Sequence, residues 1–222
     1  MGLIELVRTN LLWAEAPYLT FALVVLMVIG WRCRWRVLAY LAFGVLCFSL
    51  FFFRNPVRRC PEAALDDAVI VCPADGKVIA IDQLPPGEFA KRVAIFLSLF
   101  DVHVNWLPVD GTIEQIVYTP GTFGFARRPK SSVYNERNEI VIQTQAGELV
   151  MVRQIAGAVA RRIACWVKEG QQVVAGRKLG MIKFGSRVEL LLPEDAEINV
   201  AVGQQVYGGQ TVLGRLRSAE MG

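Results

Sequence analysis

Two stretches near the start of the chain carry no charge: Tyr18–Trp31 (YLTFALVVLMVIGW) and Val37–Phe53 (VLAYLAFGVLCFSLFFF). They run 14 and 17 residues and lack the polar face of a helix that packs on a soluble core. A helix that crosses a bilayer needs about 20 apolar residues, with roughly 17 as the lower limit. The second run is a marginal span and the first is short. A membrane hairpin, a re-entrant pair and an interfacial anchor all satisfy the pattern. It predicts a hydrophobic α-helical membrane anchor over residues 1–59.

Beyond Arg59 the pattern changes. Short runs rich in Val and Ile alternate with Gly, Pro and Asp: AVIVCPADGKVIAI, KRVAIFLSLFDVHVNWLP, GTIEQIVYTPG and NEIVIQTQAGELVMVRQIAG. Such runs, broken by turn residues, predict a mainly β domain over residues 60–222. Asp75-Gly76 and Ala146-Gly147 read as hairpin turns. The segment Gly170-Gln171-Gln172-Val173-Val174-Ala175-Gly176 recurs 33 residues later as Gly203-Gln204-Gln205-Val206-Tyr207-Gly208-Gly209, and Leu-Gly follows each copy. A turn of this kind between short strands is the hammerhead of lipoyl/biotinyl-type domains. Two copies predict a pseudo-symmetric β-sandwich, a barrel-sandwich hybrid built on two hammerheads.

Charge sharpens the first part of the reading. Residues 1–60 hold seven arginines and two glutamates, and the rest of the chain is nearly neutral. The net charge of +4 therefore belongs to the flanks of the apolar runs and excludes a nucleic-acid face as its cause. Arg32, Arg34 and Arg36 lie between the runs, and Arg54, Arg58 and Arg59 follow the second. The positive-inside bias places the β domain on the cytoplasmic side of the cell membrane, and a shallow, non-crossing insertion satisfies both clusters. A secretory signal fits poorly, because Arg8 is offset by Glu5 and Glu15 and no cleavage site separates the runs. The five cysteines form no C-x-x-C pair and there is a single histidine, so neither zinc nor another metal is expected and the thiols read as reduced.

Three places could carry chemistry. Gly185-Ser186 sits inside the strand-like run Lys183–Leu190, where a glycine is unfavourable unless the backbone bends or is approached closely. A β-bulge with a surface serine is the plain reading; the alternative is a serine whose Oγ turns on the preceding carbonyl for an N→O acyl shift. His103, in Phe100-Asp101-Val102-His103-Val104-Asn105-Trp106, shares a strand face with Asp101 and Asn105 under strict alternation, and is suited to moving a proton near neutral pH. Asp75 is either the Asp of a turn or a carboxylate that orients His103. The loop Pro120–Lys130 interleaves Phe with Arg127, Arg128 and Lys130, as a lipid-dipping, phosphate-holding lip would. Asn135-Glu136-Arg137-Asn138 is either a turn or a buried polar network.

These pieces, taken in order, resemble the phosphatidylserine decarboxylase family in its short, membrane-anchored, archaeal-type branch. The matching segments are Phe53-Arg54-Asn55-Pro56 with Arg58, Pro73-Ala74-Asp75-Gly76, Phe100–Asn105, Pro120-Gly121, Asn135–Asn138, Ala160-Arg161-Arg162-Ile163 with Val167-Lys168-Glu169-Gly170, and Phe184-Gly185-Ser186. The resemblance implies a proenzyme that cuts itself between Gly185 and Ser186 into a β chain, 1–185, and an α chain, 186–222. Ser186 becomes a pyruvoyl group, with no metal and no pyridoxal phosphate. The group forms a Schiff base with phosphatidylserine, which loses CO2 to give phosphatidylethanolamine. Asp75 and His103 would assist. The longer branch reads D-x-H-x-x-H, and Trp106 stands here at the second histidine position, which leaves the base for self-cleavage open. The expected partners are phosphatidylserine, anionic membrane lipid and the two processed chains of one another; homo-oligomer formation is open and nucleic acid is not expected. The rival readings are a non-catalytic carrier or adaptor sandwich, with Lys183 as the modified lysine, and a pyruvoyl decarboxylase of a soluble amino acid.

Overall fold

A computed structural model describes residues 17–121, 135–157, 163–182 and 186–217. The chain divides into two compact units, Met1–Val57 and Arg58–Gly222.

In the first unit the two apolar runs form helices α1 (Pro17–Arg32) and α2 (Arg36–Phe52). They pack on each other closely enough that a Cβ on Gly30 would lie 3.0 Å from the Ala39 nitrogen. Large apolar side chains, among them Phe21, Trp31, Val37, Tyr40 and Phe43, remain exposed along both. At 1.5 Å per residue the helices are about 24 and 26 Å long, and no described helix is long and apolar enough to cross a membrane.

The second unit is mainly β. Its described strands are β1 (Val69–Val71), β2 (Gly76–Gln83), β3 (Lys91–Leu97), β4 (Val104–Trp106), β5 (Gly111–Thr119), β6 (Arg137–Gln143), β7 (Leu149–Ile155), β8 (Ile163–Cys165), β9 (Gln172–Val173), β10 (Lys178–Ile182), β11 (Ser186–Leu192), β12 (Glu197–Ile198), β13 (Gln205–Val206) and β14 (Val212–Arg215). Eight form an antiparallel sheet in the order β13-β2-β3-β11-β7-β6-β5-β9, and two three-stranded sheets, β1-β14-β12 and β4-β10-β8, complete the unit. All three sheets contribute to one apolar core, with Ile70, Leu107, Ile140, Leu179, Leu190 and Leu213 among its buried members.

The order is symmetric about the β11–β7 pair. One half holds β1–β3 and β11–β14; the other holds β4–β10. The repeated Gly-Gln-Gln segments occupy matching places. Gln171 and Gln204 each accept from a backbone N–H three residues upstream, at Lys168 (3.1 Å) and Ala201 (2.9 Å). Gly170 N–H bonds to the Ile113 carbonyl and Gly203 N–H to the Val78 carbonyl, both at 2.8 Å. The short strands β9 and β13 then close the two outer edges of the large sheet. Gly76 and Gly111, which open β2 and β5, are also matched: a Cβ on either would lie 2.2 Å from a carbonyl oxygen of the neighbouring strand, at Phe96 or Gln143.

Ala146-Gly147 turns the β6–β7 hairpin as expected, with Gly147 at φ +86°. Asp75-Gly76 does not turn a hairpin. β1 pairs with β14 and β2 with β13 and β3, so this dipeptide carries the chain from a small sheet to the large one.

Gly111 lies in the half without Ser186, so its requirement for a missing side chain is purely one of packing. Gly111→Ala is expected to cost on the order of 2 kcal/mol or more, read as a lowered midpoint in urea unfolding of the detergent-solubilised protein.

Candidate active site

The site follows from two connections. The chain leaves the large sheet at Leu97, passes through residues 98–103 and enters the small sheet at Val104; it later leaves the small sheet at Ile182 and re-enters the large one at Ser186. β3 pairs with β11, placing Ser186 opposite Leu97. β4 pairs with β10, placing Met181 opposite Val104, and Ile182 N–H donates to the His103 carbonyl at 3.2 Å. Both connections therefore join the same two sheets, and they are the two by which the chain passes from one half to the other and back. His103 lies on one, Ser186 at the end of the other. Gly185, with Lys183 and Phe184, is outside the described residues, as are Arg127, Arg128 and Lys130.

Ser186 opens β11 and is fully buried, so it is no surface serine. It shares a face with Val188, Leu190 and Leu192, which belong to the core. The other face carries Arg187 and Glu189. Glu189, buried, accepts from Arg187 (3.0 Å), Arg153 (3.1 Å) and Arg92 (3.5 Å). Burial lowers the Arg187 pKa; Glu189 opposes the shift, while Arg92 and Arg153 add to it. Sliding the strand by one residue would put Arg187 in the apolar core, so this ionic cluster locks the register that aims Ser186 inward. Among the described residues Ser186 Oγ has no hydrogen-bond partner.

His103 is fully buried. Its Nδ1 lies 2.9 Å from the Asp101 carbonyl oxygen. That oxygen can only accept, so Nδ1 carries a proton, and whenever the ring is neutral the lone pair is on Nε2. Regular strand begins only at Val104, so Asp101 lies outside it and does not take the place on a common strand face that alternation gave it. The Asp101 carboxylate instead closes its own turn, accepting from Ser98 N–H (2.8 Å) and Ser98 Oγ (2.7 Å).

Asp75 is buried and held from several sides. Arg58 grips it with both terminal nitrogens, one of them at 2.8 Å. Gly208 N–H donates at 2.9 Å and Val102 N–H at 3.4 Å. The Arg58 guanidinium also donates to the Gly208 carbonyl (2.8 Å) and lies 4.7 Å above the Trp106 ring. The pseudo-symmetric partner of Asp75 is Asp110, which likewise accepts from the repeat turn, at Ala175 N–H (2.6 Å). Capping that turn is thus common to both halves. The Arg58 fork and the link to Val102, next to His103, set Asp75 apart.

Trp106 is buried and is a packing platform, an N–H donor with no acceptor to offer as a base. Its ring fills the space over Gly208 and Gly209, where a Cβ would come within 2.4 and 2.8 Å of it. The segment beginning at Asn135 contributes a buried polar network. Asn135 donates to the Ala156 carbonyl (2.7 Å), Asn138 to Gln154 Oε1 (3.2 Å), and Gln154 Nε2 to Asn105 Oδ1 (2.7 Å). The reading from sequence did not single out Arg58 or Gln154 for a part in the site, whereas Asn105 stood in the polar face expected with Asp101 and His103. Arg58 stood only among the membrane-flanking arginines and in the family motif, and its spacing from Asp75 gives no local signal.

A two-halved β domain with a buried serine and histidine at the crossing between halves defines the class of site. A family model described as phosphatidylserine decarboxylase matches residues 45–214. The phosphatidylserine decarboxylase proenzyme of Desulfotalea psychrophila is 37% identical over 204 residues, covering 90% of this chain and 94% of that protein. The phosphatidylserine decarboxylase proenzyme of Syntrophus aciditrophicus is 44% identical over 181 residues, covering 80% and 84%. The chain belongs to the phosphatidylserine decarboxylase family.

Removing Arg58 leaves a buried carboxylate without its counter-ion. Arg58→Met is expected to destabilise the protein by about 3 kcal/mol. Adding Asp75→Asn should restore part of that loss, a coupling readable in a double-mutant cycle of unfolding midpoints, whereas strictly additive losses would count against the pairing.

Proposed function

We propose that this chain is a self-processing, pyruvoyl-dependent decarboxylase that converts phosphatidylserine to phosphatidylethanolamine and CO2 in phospholipid biosynthesis. The observation that carries the reading is the buried, unpartnered Ser186 Oγ at the start of β11, beside the connection that bears His103, in a chain of this family. A buried hydroxyl without a partner is costly, and a reacting group is one reason to keep it so.

In the processing step Ser186 Oγ adds to the carbonyl carbon of residue 185, and its proton passes to a base, for which His103 Nε2 is our assignment. The amide C–N bond breaks and its nitrogen takes a proton, leaving an ester. Loss of the Cα proton of residue 186 expels the carboxylate of Gly185 and leaves dehydroalanine. Tautomerisation and addition of water then release ammonia and leave the pyruvoyl carbonyl. The site suits so small a group, which arises from Ser186 itself and lies on an apolar strand face. When present, that carbonyl joins the substrate amine and draws off the electron pair as CO2 departs. His103 would then return a proton to the substrate carbon, and Asp75 would hold the segment ahead of His103 through Val102 N–H. The α chain would begin with β11, which is paired on both sides by β3 and β7, so the β and α chains would stay together as one domain after the cut.

The matched Gly-Gln-Gln turns support the two-hammerhead, barrel-sandwich reading of the β domain, 60–222. The helical hairpin supports an anchor over 1–59 that enters one leaflet without crossing, since each helix is shorter than the roughly 30 Å hydrocarbon core. Arg32, Arg36 and Arg54 would meet anionic headgroups, with the β domain on the cytoplasmic face of the inner membrane. A carrier or adaptor role, and a soluble amino acid as substrate, are not favoured by the family.

Purified protein should give two intact masses, the smaller beginning with a pyruvoyl group at position 186. Ser186→Ala should remain one inactive chain, and His103→Ala should lose decarboxylation by at least about a hundredfold even where some cleavage persists. A single full-length mass in an active preparation would contradict the mechanism.

A further inference from the structure

We infer that the side-chain amide of Asn105 is the donor that holds the carboxylate of the substrate during decarboxylation. This rests on the reading of the chain as a phosphatidylserine decarboxylase and names a group for it. Asn105 is fully buried, yet among the described residues its Nδ2 has no hydrogen-bond partner, the same condition as Ser186 Oγ. A buried donor left unmade in the resting protein is one kept for a ligand or a bridging water.

Its position is built. Asn105 Oδ1 accepts from Gln154 Nε2 at 2.7 Å, and Gln154 Oε1 accepts in turn from Asn138 at 3.2 Å. Gly180, opposite Asn105 in the β4–β10 pair, leaves the space: a Cβ there would lie 3.2 Å from Gln154 Nε2 and 2.2 Å from the Ala164 carbonyl oxygen. Gln154 stands opposite Val188 in the β7–β11 pair, so it shares the strand face of Val188 and Ser186. One strand across and two residues along places the Gln154 and Ser186 backbones about 8 Å apart, a gap that the reactive group, the substrate and the Asn105 amide can fill together.

The chemistry favours a neutral donor. In the reaction the Cα–carboxylate bond breaks, its electron pair passes to the electron-withdrawing group at position 186, and the carboxylate carbon leaves as CO2 without its charge. A guanidinium or ammonium on that carboxylate would stabilise the ground state more than the transition state, whereas an amide N–H orients the leaving group with a smaller ground-state penalty. Arg58, the cation gripping Asp75 near His103, is already bound to that carboxylate and to the Gly208 carbonyl.

Asn105→Leu removes the donor. Asn105→Asp keeps the volume and the bond from Gln154 while setting a negative charge against the carboxylate, and serves where Asn105→Leu does not fold. Both should still give two chains by intact mass, and both should lower kcat/KM for phosphatidylserine by about a hundredfold. In an unprocessed Ser186→Ala background, glycerophosphoserine should bind more tightly than glycerophosphoethanolamine by calorimetry, and Asn105→Leu should abolish that preference. Full activity in either variant, a preference that survives, or failure of the folded variants to self-cleave would each overturn the assignment. A wild-type protein that is active without cleavage would instead overturn the underlying reading.

Discussion

The pairing of β3 with β11 and of β4 with β10 is the constraint on which the site depends. Because both pairs form, each connection has one end on the large sheet and the other on the small one. Ser186 is set opposite Leu97, where the connection that bears His103 begins, although His103 and Ser186 lie 83 positions apart in the chain. The register of β11 does the rest. Its core face is aliphatic and its other face carries Arg187 and Glu189 in an ionic cluster, so the strand has one setting, and that setting buries Ser186.

The internal symmetry separates structural from specialised roles. Asp75 and Asp110 both cap a repeat turn, so an aspartate at these places is first a folding device. Among the described residues, it is around Asp75 that Arg58, Trp106 and the Val102 N–H assemble. Gly208 and Gly209 of the second repeat leave room for Trp106, where the first repeat reads Ala175-Gly176. Among the described residues, one of the two matched halves thus carries a clamp that is not seen in the other.

Much of this was legible in the chain. Period-two runs and turn residues marked the strands, the 33-residue offset marked the matched halves, and Ala146-Gly147 marked a true hairpin. Asp75-Gly76 misled because the same dipeptide suits a tight turn and a sheet-to-sheet step, and only the partner strands tell them apart. Alternation misled at Asp101, where a local bond to Ser98 outcompetes the ladder. Asn135–Asn138 left a turn and a buried network equally open; the network is what forms, tied through Gln154 to Asn105 across the sheets. The Arg58–Asp75 pair and the Gln154–Asn105 bond are tertiary, and no pattern along the sequence announces them.

The central claim is that this buried crossing removes the carboxyl carbon of phosphatidylserine. The direct measurement follows labelled CO2 released from phosphatidylserine labelled at the serine carboxyl carbon, presented in vesicles to the purified protein. The account predicts one labelled CO2 for each phosphatidylethanolamine formed, and none from free serine. Release from free serine with none from the lipid, or no release by fully self-cleaved protein, would contradict it.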